Sequence, residues 1–285
     1  MYPGMWTSIL VELSPTDAIG RIADIGWPGI ELSTEHICAI ADSASPEREC
    51  EAARALVEER GLHMPQVHVM IGANVATADQ ARREADMGTV MRHVELSALM
   101  GIHTGVIHPG GDNPMTLDEF EAEKSRRVEG FRRLAEQAAG HGVSLAIENM
   151  SDAARASRGA RGLRRYGSLI AELHELIDDI GMPNVGICYD TGHGNLQGLT
   201  MADAVRQCGE RLIATHITDN DGSGDQHRTP FYGKVDWHEG VAAMREIGYE
   251  GMFNLEVPGE RGLPTEQLDY RLEYALQITN WLLGS

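Results

Sequence analysis

The chain has 285 residues, a length that suits one large domain and that α/β barrels commonly reach without dividing. Its net charge of −19, from 43 acidic and 24 basic residues, opposes contact with phosphate backbones, so the composition argues against nucleic-acid binding. No apolar run is long enough for a membrane span, and the first residues lack the basic and apolar regions of a secretion signal.

The spacing of the cysteines predicts the compartment. Cys38, Cys50, Cys188 and Cys208 form no Cys-x-x-Cys pair, which disfavours zinc knuckles and disulfides. We therefore expect reduced thiols in a cytoplasmic protein.

Apolar, β-branched runs alternate with amphipathic stretches along the whole chain. The predicted strands are Trp6–Val11, Gly29–Ser33, Met64–Ile71, Thr104–His108, Ser144–Asn149, Gly186–Asp190, Ile213–Thr218 and Met252–Val257. The predicted helices include Pro46–Arg60, Ala78–Met100, Leu117–Ala139, Ser168–Ile180, Val241–Ile247 and Leu268–Leu283. Glycines follow many of these helical patterns, as they do where helices end; they are Gly61, Gly101, Gly142, Gly181 and Gly248.

Eight strand–helix units in this length predict a (β/α)₈ TIM barrel, formed as a single domain by residues 1–285. An open, doubly wound sheet is the alternative, but the first strand is not followed by a Gly-rich turn. Two segments after predicted strands could close over a ligand, Ser151–Tyr166 and Pro258–Leu263. The first carries five arginines and is interpreted either as a solvated loop or as a lid that binds an anion.

Nine potential metal ligands lie at or just after the ends of predicted strands. They are His68, His108, Glu148, Asp190, His193, His216, Asp225, His227 and Glu256. In a closed barrel the carboxyl ends of all strands meet at one mouth, so we expect these side chains to converge there.

Strand alternation identifies four of the nine as pointing into the barrel on consecutive strands. We call Glu148, Asp190, His216 and Glu256 the quartet. Without a cation, three acids and a histidine brought this close would repel and desolvate one another. Their oxygen-rich set therefore predicts at least one divalent cation, with Mn²⁺ or Zn²⁺ favoured and Mg²⁺ or Co²⁺ as alternatives.

The same segments carry a family resemblance. They are Gly26–Leu32, Ile107–Gly110, Ala146–Asn149, the Asp-Thr-Gly-His element within Gly186–His193, His216–Asn220 and Glu256–Val257. Over essentially its whole length the chain resembles the xylose-isomerase-like TIM-barrel superfamily, which includes sugar-phosphate isomerases and epimerases, ketose 3-epimerases and endonuclease IV. The resemblance implies that the quartet is a metal site. Members are often dimers or tetramers, so it also allows a homo-oligomer.

The other five ligands have two interpretations under this resemblance. His193, Asp225 and His227 match one zinc site of endonuclease IV, and His68 and His108 match another. In sugar-directed members, however, residues of this kind can serve substrate hydroxyls instead. Substrate binding and additional metal binding therefore both stay open for these five residues.

Two enzymatic hypotheses follow. In the first, the chain isomerises or epimerises a small sugar, keto-sugar or sugar phosphate through an enediolate, with Glu148 and Glu256 as the acid/base pair. Glu31, Trp6 and Trp237 then shape the substrate pocket. In the second, three zinc ions hydrolyse a phosphodiester as in endonuclease IV, which the acidic composition disfavours for DNA. A metal-binding protein without activity ranks last, because both candidate acid/base residues are present.

Overall fold

Eight parallel strands form the centre of the molecule. The structure, a computed structural model, describes residues 1–112, 114–152, 165–260 and 262–284. In chain order the strands are β1 (Tyr2–Trp6), β2 (Gly29–Leu32), β3 (His63–His68), β4 (Thr104–Ile107), β5 (Ser144–Glu148), β6 (Val185–Asp190), β7 (Leu212–His216) and β8 (Met252–Leu255). Neighbours in sequence are neighbours in the sheet, and β1 also pairs with β8.

The sheet closes between β7 and β8, just beyond the end of β7. Ile217 bridges Leu255 in parallel, the Ile217 amide donates to the Asn254 carbonyl at 2.7 Å, and the Glu256 amide donates to the Ile217 carbonyl at 3.1 Å. Because these bonds join the two strands that would otherwise be sheet edges, the strands enclose a barrel. The prediction of a single-domain (β/α)₈ barrel is confirmed.

Helices surround the barrel. They are α1 (Pro15–Ile25), α2 (Thr34–Ala41), α3 (Pro46–Arg60), α4 (Gln80–Leu99), α5 (Leu117–Gly140), α6 (Ile170–Ile180), α7 (Thr191–Leu196), α8 (Met201–Cys208), α9 (Trp237–Glu246) and α10 (Thr265–Leu283). The main core lies between the outer face of the strands and these helices. Within the described residues, the helices are too short or too polar to traverse a bilayer. The four cysteines are free thiols.

Several helices begin at a Ser, Thr or Asp whose side chain accepts a hydrogen bond from the amide three residues on, which satisfies one of the free amides of the first turn. These residues are Ser14, Ser33, Asp79, Thr116, Asp190, Thr200 and Asp236. Asp190 belongs both to this set and to the quartet. The local preference that starts α7 therefore also fixes one ligand of the site.

The prediction of the first strand is wrong. Trp6 is the last residue of β1, and Thr7–Leu10 form a 3₁₀ turn. The strand is the preceding segment Tyr2–Trp6, in which Gly4 lets the Met252 side chain approach the backbone closely. The apolar residues after Trp6 are buried in the core although they belong to a turn. The sequence there therefore has the apolar pattern expected of a strand. The other strands and helices match their predicted positions within a few residues.

Small side chains fill the barrel beneath its mouth. Val106, Ala146, Cys188 and Ala214 form a separate, fully buried cluster contributed by β4 to β7. Each lies two positions before a predicted ligand on the same inward face of its strand, and those ligands are His108, Glu148, Asp190 and His216. We call this cluster the floor, because the predicted ligands occupy the next inward positions above it.

Candidate active site

The structure brings the nine predicted ligands together at the carboxyl end of the barrel. Four end a strand, two follow the last residue of a strand, one lies in the first turn of α7, and two lie in the loop between β7 and α9. In that order they are His68, Glu148, Asp190 and His216; His108 and Glu256; His193; and Asp225 and His227. Strand ends carry the most buried members, because the barrel itself fixes their backbone.

The quartet is compact and almost dry. One ligand atom from each of its four residues lies within 4.8 Å of all the others. His216 is central, since its Nδ1 lies 3.3 Å from an oxygen of Glu148 and 3.3 Å from an oxygen of Glu256. The four residues are between 0% and 4% exposed. This geometry fits one cation shared by three carboxylates and one imidazole.

His216 of the quartet and the neighbouring His68 each have one ring nitrogen close to an oxygen outside the quartet. Nε2 of His216 lies 3.0 Å from an oxygen of Glu31, so it carries the proton, which leaves the lone pair of a neutral ring on Nδ1. Nδ1 of His68 likewise donates to the Val69 carbonyl at 2.9 Å, and its Nε2 lies 3.5 Å from Glu148. In its neutral form, each ring would therefore turn a lone pair toward the carboxylates, as a metal ligand requires.

His193, Asp225 and His227, which we call the loop group, repeat this arrangement. Nδ1 of His193 donates to the Asn149 carbonyl at 2.9 Å, and Nδ1 of His227 donates to the Glu256 carbonyl at 3.1 Å. The two Nε2 atoms then face the Asp225 carboxylate at 3.4 and 3.3 Å. Unlike the quartet, the ligand atoms of the loop group do not gather within 4.8 Å of one another.

Many polar atoms at the centre of the site are buried without a hydrogen-bond partner among the described residues. They are His68 Nε2, Glu148 Oε2, Asp190 Oδ2, His216 Nδ1, Asp225 Oδ1 and Glu256 Oε2. Unpaired buried oxygens and ring nitrogens are costly, and all six atoms are of types that ligate divalent metals. The donor set therefore fits a cation held by the quartet.

The electrostatics of the site point the same way. Burial raises the pKa of Asp190 to about 7. Burial would also raise the pKa of Glu148, but the positive charge of His216 and hydrogen bonds from the surrounding histidines hold it well below its usual range. The pKa of His216 is raised well above its usual value against the effect of burial, because anionic groups surround it. The carboxylates thus require nearby positive charge, from protons or from a metal ion.

The loop between β7 and α9 is organised by Asp219. Its carboxylate accepts hydrogen bonds from the amides of Gly233 and Val235 and from Nε1 of Trp237, at 2.9, 3.2 and 3.1 Å. The backbone of His227 is left-handed at φ 45°, a strained value for a residue with a Cβ. This strain is maintained where the ring reaches Glu256, as it is at many functional sites.

The three predicted pocket residues have different surroundings. Trp6 ends β1 with a buried Nε1 that has no partner among the described residues. Trp237 packs against Phe253 in the main core, and its Nε1 donates to Asp219. Glu31 is fully buried, with one carboxylate oxygen near His216 and the other near Asn254.

Sequence reasoning missed two residues that hold the site together. Asn149 pairs with Asp190, since its Oδ1 accepts from the Asp190 amide and its Nδ2 donates to the Asp190 carbonyl. Arg127, fully buried on α5, donates to the carbonyls of Pro109 and Gly110 directly after His108. Asn149 follows Glu148 in a segment already noted. The role of Arg127 could not be predicted from the sequence, because a helical pattern does not show which loop a side chain will contact.

The two predicted closing segments are described only in part. Residues 153–164, with four of the five arginines, lie outside the described residues, as does residue 261. The amide of Arg165 donates to Asp152 at 2.8 Å, which ties the two ends of the first segment together. Arg271 donates to the Pro258 carbonyl at 2.8 Å, which anchors the start of the second to α10. Closure over a ligand stays a prediction.

A family model described as xylose isomerase-like TIM barrel matches residues 19–278. The chain belongs to this family. D-psicose 3-epimerase of Agrobacterium fabrum is 26% identical over 243 residues, which span 84% of this chain and 77% of that protein. Endonuclease 4 of Thermus thermophilus is 25% identical over 245 residues, spanning 81% and 83%.

Solved structures show the same fold. A crystal structure of D-psicose 3-epimerase with D-tagatose from Clostridium cellulolyticum H10 superposes with a TM-score of 0.79 at 17% identity, covering 99% of each chain. The relatives of this chain therefore include sugar epimerases as well as an endonuclease. The choice between their chemistries depends on the residues of this chain.

Proposed function

We propose that the chain is a divalent-metal-dependent epimerase or isomerase of a small sugar, keto-sugar or sugar phosphate, in which Glu148 and Glu256 exchange protons with the substrate. The observation that carries this proposal is the pair of buried carboxylates that approach His216 Nδ1 at 3.3 Å each, one from β5 and one from beyond β8. Relatives named as D-psicose 3-epimerases support the same reaction class.

The quartet would hold the cation, with Mn²⁺ or Zn²⁺ favoured by its donors. When bound, such an ion polarises a carbonyl and stabilises negative charge on the adjacent oxygens. Asp190 contributes Oδ2, because its Oδ1 accepts from the His193 amide at 2.6 Å. His216 contributes Nδ1.

Glu148 ends β5 and Glu256 follows β8, three strands further round the barrel, so the two carboxylates would reach a bound substrate from different directions. One carboxylate would remove the proton on the carbon next to the carbonyl, which leaves an enediolate, and the other would return a proton from the opposite face. Return to the opposite face inverts that carbon, which is epimerisation. Burial near 0% keeps water from competing for these protons.

The remaining ligands would position substrate oxygens. His108 lies 3.3 Å from Glu148 and is 19% exposed, so its ring is the most accessible of those around that carboxylate. In the loop group, His193 also lies 3.1 Å from Glu148, and Asp225 and His227 are 22% and 24% exposed. Partly exposed polar groups around a buried reactive centre suit a small, hydroxyl-rich ligand.

Exchange of substrate protons with solvent tests this function. Purified protein supplied with Mn²⁺ would be incubated in deuterium oxide with D-fructose, D-psicose, D-tagatose and their phosphates, and followed by nuclear magnetic resonance. We expect deuterium at the carbon beside the carbonyl together with the epimeric sugar. Glu148→Gln and Glu256→Gln should abolish this, whereas the exposed control Glu35→Gln should not. Absence of both deuterium incorporation and epimer formation with all of these ketoses, in protein that holds a metal, would contradict the proposal for them.

Phosphodiester hydrolysis at a three-metal centre is the second candidate. It is favoured by the loop group and by His68 and His108, which together supply the further ligands, and by similarity to Endonuclease 4. The spread of the loop group and the net charge of −19 weigh against it. Counting metals by elemental analysis separates the two, because one metal per chain supports the first and three per chain, with incision of abasic DNA, the second.

A further inference from the structure

Glu31 is a buried acid whose contacts reach across the barrel. It lies on β2, three strands from β7 round the closed barrel, yet its Oε1 is 3.0 Å from Nε2 of His216, 185 residues away in the chain. Its other oxygen accepts from Nδ2 of Asn254 on β8. All three residues are 0% exposed. Both Glu31 oxygens are therefore occupied by protein donors, and neither is open to a ligand in the pocket.

The bond from Glu31 determines what His216 offers to the quartet. A neutral imidazole carries one proton, and the carboxylate holds it on Nε2. Nδ1 is then left as an acceptor pointing at Glu148 and Glu256. The ring of His68 stacks on His216 with centroids 5.3 Å apart and planes 26° apart, which restricts rotation of the ring.

We propose that Glu31 is a positioning residue for the metal site: it fixes the tautomer and orientation of His216 and strengthens Nδ1 as a ligand, rather than contacting substrate. This inference rests on the proposed function, because it concerns the same cation. A carboxylate behind a ligating imidazole stabilises the ring in the ligating form, and loss of such partners commonly weakens metal binding by about 10- to 100-fold.

Asn254 makes it possible to separate charge from geometry. Its Oδ1 is buried without a hydrogen-bond partner among the described residues. In Glu31→Gln, one side-chain oxygen can still accept from His216, and the new amide can donate to Asn254 after that amide turns over. The variant therefore keeps the shape and both contacts but loses the negative charge. Glu31→Leu removes the contacts as well.

The test measures metal affinity by calorimetry with Mn²⁺ and the state of His216 by nitrogen-15 resonance in zinc-loaded protein. We expect affinity to fall about tenfold in Glu31→Gln and about 100-fold in Glu31→Leu. The exposed control Glu35→Gln should match the wild type. The His216 nitrogens should show a bound Nδ1 and a protonated Nε2 in the wild type, with a weaker hydrogen bond at Nε2 in Glu31→Gln.

Unchanged affinity and unchanged His216 resonances in Glu31→Gln and Glu31→Leu would overturn the inference while leaving the proposed function intact. Failure of the wild type to bind any divalent cation would instead overturn the proposed function. In that event the contact between Glu31 and His216 can still be tested in the metal-free protein. The shifted, exchange-protected Nε2 proton of His216 should be present in the wild type and in Glu35→Gln, and its presence in Glu31→Leu would refute the role of Glu31.

Discussion

The quartet and the loop group use the same kinds of side chain but are built differently. The quartet comes from the ends of β5 to β7 and from the residue after β8, so its backbone is part of the barrel ladder or next to it. Two of the three members of the loop group lie in an irregular loop that depends on Asp219, and they are 22% and 24% exposed. Rigid and dry ligands suit the reacting centre, whereas partly exposed loop ligands suit discrimination among substrates.

The largest expected effect separates the two groups by activity. Glu148→Gln or Glu256→Gln should lower the rate of epimerisation by about 10³-fold or more, because each removes a proton-transfer group. Asp225→Asn should lower it by only about tenfold, chiefly through KM, because it perturbs substrate positioning. Steady-state kinetics on the most active ketose measures both. Equal losses in kcat for all three variants would place the loop group in the chemistry.

Metal removal gives the next effect. A cation at about 100 times its Kd stabilises the folded state by about 2.7 kcal/mol, so chelation should lower the Tm by several degrees. Asp190→Asn should abolish this response, since it removes a quartet ligand, and Asp225→Asn should keep most of it. Differential scanning calorimetry with and without chelator measures the shift. A full response in Asp190→Asn would show that the cation binds elsewhere.

A backbone change should disturb the loop group alone. A Cβ added at Gly233 would overlap Oδ1 of Asp219 and the Asn220 carbonyl. We expect Gly233→Ala to cost about 1 to 3 kcal/mol in the free energy of unfolding and to raise KM while metal stays bound. Gly224→Ala in the same loop is the matched control, because a Cβ there meets nothing within 4 Å. Similar costs in both variants would mean that Asp219 does not organise this loop.

The smallest expected difference between the quartet and the loop group is in how their metal affinity depends on pH. Burial raises the pKa of Asp190 to about 7, so below pH 7 a proton competes with metal at the quartet. Because the pKa of His216 is raised as well, its proton also competes with metal, so affinity should rise more steeply below pH 7 than above it, with the change of slope near pH 7 marking Asp190. Acidic neighbours raise the pKa of His227 to about 10 against the effect of burial, so a metal at the loop group should gain affinity up to pH 10. Titrations at pH 6, 7, 8 and 9 distinguish the two curves.

Much of the fold and the convergence of the nine ligands could be predicted, because strand periodicity and the common carboxyl edge of a barrel are local and topological properties. The first strand was misplaced because Thr7–Leu10 bury apolar side chains from a 3₁₀ turn. The environment of Glu31 could not be read from sequence. Alternation shows that Glu31 points inward, but its partner His216 arrives only when the barrel closes. Roles of individual ligands remain predictions for the same reason.

The floor affects where an isotope label removed from a substrate would go. Val106, Ala146, Cys188 and Ala214 are all 0% exposed, so no solvent reaches Glu148 from beneath. If the chain acts on a sugar as proposed, a deuteron taken from a labelled substrate would leave by the rim that the bound sugar covers. Release of the label to bulk water should therefore be slower than its transfer to a carboxylate. Some label is expected to return to the unreacted sugar. The isotope content of the recovered starting material would then report how well the site is shielded from solvent.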